Sequence, residues 1–205
     1  MRYYPVNLNL NKKNCLVIGG GKVAFRKVKV LLSYGALVKL VSPEIFTGIK
    51  KIKDKDFRYQ KRRYSGKDLK NVFLAVIATD DMVLNTKISK EAKKRKILVN
   101  VVDVPALCDF ILPAIAERKN LTITVSTNGI SPALAKYLRK DIEKKYDGYA
   151  TLLEVLKFLR SRIIKLDKKR KNGIWKSIIN KGFLDKMKDA GRKQINKAII
   201  KKINI

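Results

Sequence analysis

The sequence predicts an α/β fold, with an N-terminal parallel sheet, then a small α+β domain and a helical C-terminal domain. Two observations support this. Short apolar runs alternate with amphipathic segments through the first half of the chain, as expected for parallel strands joined by helices. From Thr151 onward only helical periodicity remains. We place the domain boundaries at residues 1–113, 114–145 and 146–205.

A glycine turn near the N-terminus gives the strongest local signal. The apolar run 15–18 leads into Gly19, Gly20 and Gly21, and an amphipathic segment follows. Gly19, Gly21 and Ala24 fill the small-residue positions of the G-x-G-x-x-[GA] pattern of dinucleotide-binding Rossmann folds. Gly19 permits the sharp turn, Gly21 lets the backbone approach a pyrophosphate, and Ala24 lets the helix lie against the strand. A purely structural turn is the alternative.

The segment after the turn has the pattern of an amphipathic helix. Its predicted buried face recurs at i, i+4, i+7 and i+8, at Ala24, Val28, Leu31 and Leu32. We expect the basic residues Arg26, Lys27 and Lys29 to lie elsewhere, on the surface. Gly35 is placed to end the helix.

A second strand, residues 37–41, leads to the predicted ribose end of the cofactor. An acidic residue about 20 positions after the glycines usually holds the ribose hydroxyls. This chain has Ser42-Pro43 there, with Glu44 next. The spacing therefore does not choose between NAD and NADP.

Three further strands complete the predicted sheet. Residues 57–64 alternate loosely, 72–78 are continuously apolar as in a doubly buried strand, and 98–102 end at Asp103. A charged helix through Lys93 begins near Thr79 or Asp81. Ligands of such sheets bind at the carboxyl ends of the strands. The predicted cofactor contacts are Gly19, Gly20, Gly21, Lys22, Val23, Ala24, Ser42, Pro43, Glu44, Thr79 and Asp80.

The pattern changes after Pro113. Residues 121–126 form a strand with alternating threonines, and Ser131-Pro132 opens a helix. Hydroxyls and free N–H groups at such a helix start favour a carboxylate. Candidate substrate contacts are Thr127, Asn128, Gly129 and Ser131; plain helix capping by Ser131 is the alternative.

The chain is strongly basic, with a formal net charge of +31 over 205 residues. Nucleic acid, a polyanionic small molecule and general composition bias are the three explanations. The excess is spread along the chain, and Lys168–Lys171 is its sharpest cluster.

The sequence contains no histidine, so any proton transfer must use other side chains. Cys15 and Cys108 lack metal-ligand spacing, so we expect no metal site. No run is long enough to span a bilayer and no signal-peptide pattern opens the chain, so we expect a cytoplasmic protein without membrane contact.

Several motifs together resemble one family, the precorrin-2 dehydrogenase module of sirohaem synthases, including its stand-alone forms. The matching segments, which cover roughly the first 145 residues, are 4–6, 19–24 with Arg26-Lys27, 78–81, 100–103, 110–114, 125–126 and 129–135. The resemblance implies a homodimer with an NAD-binding Rossmann domain, a dimerisation domain and a helical domain. It also implies oxidation of precorrin-2 to sirohydrochlorin in sirohaem biosynthesis, with NAD as hydride acceptor. The polycarboxylate substrate would account for part of the positive charge.

Asp103 is the candidate catalytic base. It follows the fifth predicted strand at the ligand edge and matches the functional aspartate of the family; its alternative is a turn residue in Asp-Val-Pro. Asp80 and Asp109 are weaker candidates, and Asp80 is expected beside the cofactor or at the helix cap. Some family members also insert iron, which the sequence leaves open. Two alternative functions remain at this point: a basic nucleic-acid-binding protein, and an NAD-responsive regulator.

Overall fold

The chain divides between Ile111 and Leu112 into two units, and the computed structural model describes residues 3–203. No helix in that range is long and apolar enough to cross a membrane. The three-domain division expected from the sequence, with boundaries after residues 113 and 145, stays a prediction.

A parallel sheet forms the centre of the first unit, as predicted. Its strands are β1 (Asn14–Ile18), β2 (Leu37–Ser42), β3 (Phe57–Lys61), β4 (Leu74–Ile77) and β5 (Leu98–Val101), in the order β3-β2-β1-β4-β5. Ile18 at the end of β1 lies opposite Val41 of β2 and Ile77 of β4. The carboxyl ends of these three strands therefore meet at one edge of the sheet.

Helices cover both faces of this sheet. They are α1 (Lys22–Ser33), α2 (Thr47–Lys50) and α3 (Met82–Lys94), with 3₁₀ turns at Gly66–Leu69 and Pro105–Leu107. Because side chains alternate along a strand, Cys15 and Val17 pack with α1 in one apolar cluster, while Leu16 and Ile18 pack with α3 in another. Burial on both faces explains why the central strands are almost entirely apolar. It also raises the pKa of the Cys15 thiol to about 11.

The predicted helix ends are only partly correct. Gly35 follows α1 with a φ of +75°, which suits a glycine after a helix C-terminus. At the start of α3, the Asp81 carboxylate accepts a hydrogen bond from Leu84 N at 2.9 Å. Asp81 is therefore the cap, and the suggestion that Asp80 caps this helix is wrong.

The second unit begins with a β-hairpin and continues as helices. The antiparallel strands are β6 (Ala114–Arg118) and β7 (Leu121–Val125), and the helices are α4 (Pro132–Tyr146), α5 (Tyr149–Ile163), α6 (Lys168–Ile178), α7 (Lys181–Met187) and α8 (Arg192–Ile203). Leu152, Val155 and Leu159 of α5 pack with Ile178, Phe183 and Ile195 to form the core of α5–α8. β6 was not predicted, because two of its five residues are charged.

A buried ion cluster connects β2 and the end of β3 to the turn at Gly66–Leu69. Asp68, which is 4% exposed, accepts hydrogen bonds from Lys39 Nζ at 2.7 Å, Arg62 Nη2 at 2.6 Å and Ser65 N at 2.9 Å. Burial alone would raise the pKa of Asp68, but the hydrogen bonds from Arg62 and Lys39 outweigh it and hold this pKa well below its usual value. The carboxylate thus stabilises the folded state while it stays ionised.

Asp68→Asn should destabilise the first unit by about 2 kcal/mol. Removing one partner of a fully buried pair costs about 3–5 kcal/mol, and Lys39 and Arg62 are partly exposed to solvent, which lowers the cost. Because the folded-state pKa is depressed, the stabilisation is present above the unfolded pKa of about 4 and is lost below it. Urea unfolding should therefore show a gap between wild type and variant at pH 7 that narrows below about pH 4.

Asp56→Asn is the matched control, since Asp56 forms a more exposed pair with Lys12 at 2.9 Å. The Asp56→Asn variant should lower the free energy of unfolding by less than about 1 kcal/mol. Equal losses in the two variants would contradict a special role for the Asp68 cluster.

Candidate functional site

The glycine turn is built by close backbone approach at the end of β1. Gly19 has a φ of +111°, and a Cβ there would overlap the Ala78 carbonyl after β4. A Cβ at Gly20 would overlap the Glu44 carbonyl after β2. Phe46 N also donates to Gly20 O at 2.8 Å. The loops after β1, β2 and β4 therefore meet here, which brings three of the predicted cofactor segments together.

Gly21 differs from its neighbours because the space beside it is open. A Cβ built on Gly21 meets no atom within 4 Å. Gly21 precedes α1, and no side chain in the described residues caps this helix, whose first turn holds no acidic residue. The first helical bond runs from Phe25 N to Gly21 O at 3.0 Å. The N–H groups of Lys22, Val23 and Ala24 consequently have no acceptor within the helix, and an open, uncapped helix start of this kind fits a pyrophosphate.

The residues predicted to lie near the ribose follow the end of β2. The Ser42 hydroxyl is buried and lies 2.8 Å from where a Cβ on Gly20 would be, while Pro43 and Glu44 are exposed. Lys39, which lies near Ser42 in the sequence, is bound to Asp68. Glu44 is thus the nearby carboxylate open to a ligand.

The end of β4 is held by a residue that the sequence reasoning missed. Asn85, which is 2% exposed, donates from Nδ2 to Thr79 O at 2.9 Å, and Thr79 Oγ1 donates to Asn85 Oδ1 at 2.5 Å. Asn85 shares the buried face of α3 with Ile88 and Ala92. The sequence did contain a signal for this role, because Asn85 is a polar residue at a position where the helical spacing predicts an apolar one. Asp80 is exposed beside this fixed backbone.

Asp103 lies two residues beyond β5 with its side chain exposed. Its φ is +59°, and the turn closes through a backbone bond from Val104 N to Val101 O at 3.3 Å. The carboxylate makes no hydrogen bond or ion pair within the described part of the chain. Asp103 is thus a turn residue, as the alternative has it, but its side chain does not close the turn, and its role as a base stays a prediction.

Asp109, a weaker candidate for the base, is already engaged. Its carboxylate accepts from Val99 N at 3.0 Å and pairs with Lys93 at 3.4 Å. These contacts hold the loop against β5. Of the two carboxylates that follow this strand, only that of Asp103 makes no hydrogen bond or ion pair within the described residues.

Two buried side chains fix the Asp103 loop. The Cys108 thiol accepts from Val101 N at 3.1 Å and lies 3.3 Å from Val104 O, to which it can donate. Asn100 Nδ2 donates to Phe110 O at 3.0 Å. Burial raises the pKa of Cys108, which keeps it a neutral thiol. Neither residue was assigned this role from the sequence.

Lys27 does not lie where the sequence predicted. We expected it on the solvent face of α1, and this was wrong, because it is half-buried at the i+3 position from Ala24. Burial and the neighbouring Arg26 lower the pKa of Lys27, while the negative charge of Asp103 opposes that shift.

In the second unit, hydrogen bonds within the turn account for two of the four predicted substrate contacts. Ser131 Oγ accepts from Leu134 N at 3.2 Å and so caps α4. Thr127 Oγ1 accepts from Ser131 N and donates to Ser131 O, both at 3.1 Å. Asn128 and Gly129 have positive φ values, of +52° and +83°, and the exposed Asn128 carboxamide makes no hydrogen bond within residues 3–203.

Comparison with known proteins identifies the class. Residues 6–114 match a family model described as NAD(P)-binding, and residues 118–145 match one described as sirohaem biosynthesis protein central. The first unit is thus an NAD(P)-binding Rossmann domain. A solved structure titled SirC, precorrin-2 dehydrogenase, is 30% identical to the chain, covers 97% of it and 100% of its own length, and has a TM-score of 0.78. The chain belongs to the precorrin-2 dehydrogenase family, as its motifs predicted.

Longer relatives share the same region. The siroheme synthase of Nitrosococcus oceani is 39% identical over 165 residues, which are 80% of this chain and 35% of the relative. That of Blochmanniella floridana is 42% identical over 144 residues, 70% of this chain and 31% of the relative. The chain thus spans about a third of the length of these curated relatives. The comparisons confirm the predicted cofactor, NAD, while the individual site residues stay predictions.

Gly21→Asp should abolish NAD binding without unfolding the protein. Aspartate is a favoured N-cap residue, and the open space beside Gly21 accommodates it, so its carboxylate would occupy the N–H groups that the pyrophosphate needs. We expect the Kd for NAD, measured by titration calorimetry, to rise at least about 100-fold, since charge-assisted hydrogen bonds contribute about 1.5–3 kcal/mol each.

Gly21→Asn and Gly173→Asp are the controls. Gly21→Asn introduces a side chain of the same size without the charge and should weaken NAD binding less. Gly173→Asp adds the same charge at another open glycine, in α6, and should leave NAD binding unchanged. Unchanged NAD binding in a folded Gly21→Asp protein would reject the assignment of the turn.

Proposed function

We propose that the protein oxidises precorrin-2 to sirohydrochlorin, with NAD as the hydride acceptor. The observation that carries this proposal is the likeness to a precorrin-2 dehydrogenase over nearly the whole of both chains. The free carboxylate of Asp103 at the cofactor edge of the sheet supports it. The two alternative functions, nucleic-acid binding and NAD-dependent regulation, gain no support from the comparisons. Iron insertion is not part of the proposal.

The reaction removes a hydride from a ring-bridging carbon and a proton from the same tetrapyrrole. NAD supplies the acceptor for the hydride when it is bound. Asp103 takes the proton, because its carboxylate is exposed at the edge where such sheets bind their ligands and is not bound by the protein. The buried hydrogen bonds of Cys108 and Asn100 hold the loop that carries it. In a chain without histidine, few other side chains could serve as the base near neutral pH.

The charge of the chain suits a polycarboxylate substrate. A surface rich in lysine and arginine attracts polyanions and raises their local concentration. In the second unit, Asn128 is the predicted substrate contact with a free side chain, and it lies just before the N-terminus of α4, where anions are favoured. Ser131 and Thr127 shape that turn through their hydrogen bonds to each other and to the helix.

We also infer a homodimer in the cytoplasm. The described sheet of the second unit has only two strands, β6 and β7, and a two-stranded sheet is marginally stable alone. Beside it, α4 exposes Leu134 and Tyr137, and Ile130 before the helix is 87% exposed. A second copy would cover these apolar side chains. The cytoplasm fits the two free cysteines.

Asp103→Asn tests the function most sharply. Asparagine tolerates the positive φ at this position, so the variant removes the base without straining the loop. With precorrin-2 and NAD under anaerobic conditions, we expect the tetrapyrrole absorbance change to slow by about 100- to 10,000-fold. NAD binding should stay nearly the same. A loss below about tenfold would argue against a base, and no turnover by the wild type would reject the proposed function.

Leu134→Glu combined with Tyr137→Glu should convert the dimer into a monomer. Two buried acidic side chains at an apolar interface face a large desolvation cost. Light scattering during gel filtration measures the mass directly. Val83→Glu, at an exposed apolar residue of α3, is the control and should stay dimeric. A wild-type monomer would contradict the dimer proposal.

A further inference from the structure

The hydrogen-bond ladder between β4 and β5 breaks at the carboxyl edge of the sheet. Its last bond runs from Val102 N to Ile77 O at 2.9 Å, one step beyond the register pair of Ile77 and Val101. Bonds in a parallel ladder are evenly spaced, so the next two would join Thr79 N to Val102 O and Val104 N to Thr79 O. Neither bond forms in the described chain, although these residues closely follow the two strands.

Asn85 takes the carbonyl of Thr79 out of this ladder. The Asn85 Nδ2 donates to Thr79 O at 2.9 Å, and the Asn85 Oδ1 accepts from Thr79 Oγ1. Because a carbonyl oxygen can only accept, these two partners fix the orientation of the carboxamide. Val104 N, the other half of the missing pair, bonds instead to Val101 O at 3.3 Å in the turn after β5. Each side of the break is therefore held by hydrogen bonds of its own.

A backbone donor and a backbone acceptor remain at the break. Within residues 3–203, the Thr79 N–H has no acceptor and the Val102 carbonyl has no donor. The strand register places them on facing strands, one step beyond the last ladder bond. Both residues are half-buried, and backbone polar groups without partners cost free energy when they are removed from water. The two groups therefore fit a ligand that brings one acceptor and one donor.

Stability alone does not call for an asparagine at this position. Asn85 lies on the buried face of α3 with Ile88 and Ala92, where an apolar side chain would need no polar partner. One more step of the ladder would then satisfy the Thr79 carbonyl, and the Thr79 hydroxyl already lies within hydrogen-bond distance of the Asp81 backbone. What Asn85 adds to such an arrangement is the open break.

We propose that Asn85 is a positioning residue that keeps the Thr79 N–H and the Val102 carbonyl free to bind the carboxamide of the NAD nicotinamide. A carboxamide carries a carbonyl acceptor and an NH₂ donor, which complement these two groups. The predicted ribose position follows β2, on one side of β1, and the break lies on the other side, between β4 and β5. NAD that crosses the glycine turn therefore brings its nicotinamide end to the break. This inference rests on the proposed function, because it places the group that accepts the hydride.

Asn85→Leu is the test, since leucine has the same number of side-chain heavy atoms, also branches at Cγ and suits the buried face of α3. Titration calorimetry compares NAD with ADP-ribose, which lacks the nicotinamide. The Kd for NAD should rise about tenfold, as expected for the loss of one or two neutral hydrogen bonds. The Kd for ADP-ribose should stay nearly the same.

A cofactor analogue tests the carboxamide itself. In the acetylpyridine analogue of NAD, a methyl group replaces the amide NH₂, so the donor to Val102 O is lost. The wild type should bind this analogue several-fold more weakly than NAD. Asn85→Leu should bind the two dinucleotides equally, because its closed ladder no longer offers the acceptor.

Ser89→Ala is the matched control. Ser89 is 1% exposed on the same face of α3 and donates to Leu107 O at 3.0 Å, so this variant also loses a buried hydrogen bond but leaves Thr79 untouched. It should keep the wild-type Kd for NAD and the preference for NAD over the analogue. If Asn85→Leu does not fold, as judged by thermal unfolding, Asn85→Ala is measured in the same way.

Three results would overturn the inference. They are an unchanged Kd for NAD in folded Asn85→Leu, an equal loss of NAD and ADP-ribose binding in that variant, and equal affinity of the wild type for NAD and the acetylpyridine analogue. None of these measurements uses precorrin-2. A wild type that shows the nicotinamide-dependent binding but does not oxidise precorrin-2 would instead reject the proposed function, so the two failures are distinguishable.

Discussion

At the carboxyl end of β1, three stretches of backbone pass so close together that no side chain fits between them. Gly19 lies against the Ala78 carbonyl, and Gly20 lies against the Glu44 carbonyl. This close approach brings the ends of β2 and β4 to the start of α1. The three predicted cofactor segments meet because glycine occupies these two positions, and Gly21 then leaves the helix start open. Two of the three glycines therefore act through packing, and the third acts through the space that it leaves.

The partly or fully buried charged side chains of the first unit differ in whether the protein supplies them with partners. The buried Asp68 carboxylate is bound by Lys39, Arg62 and Ser65, so its burial is compensated locally. Lys27 is half-buried without such compensation. A fold under selection for stability alone would place an apolar residue there, as it does at Ala24 and Val28. The two charges differ in that only the Asp68 carboxylate has hydrogen-bond and ion-pair partners in the described residues.

Much of the fold could be predicted because its signals are local. The glycine pattern, the apolar runs of β1 and β4 and the Ser131-Pro132 helix start each reflect the geometry of a few adjacent residues. The site could be predicted only in part. Asn85 and Asn100 bind backbone groups that are 6 and 10 residues away in the sequence. Such partners cannot be predicted from a pattern of adjacent residues. Lys27 was misplaced because a charged residue was assumed to lie on the surface, although its spacing placed it on the buried face.

In the loop after β5, some polar side chains bind the backbone, whereas the Asp103 carboxylate is exposed. Asp103 adopts a positive φ, which costs energy for residues other than glycine, although aspartate tolerates it comparatively well. That conformation persists because Cys108 and Asn100 bind the backbone on both sides of it, and Asp109 binds β5. Every polar side chain of the loop except Asp103 is thus used to hold the backbone. The Asp103 carboxylate, which has no hydrogen-bond or ion-pair partner in the described residues, is exposed just beyond the carboxyl end of β5, the edge at which the proposed base is expected to act.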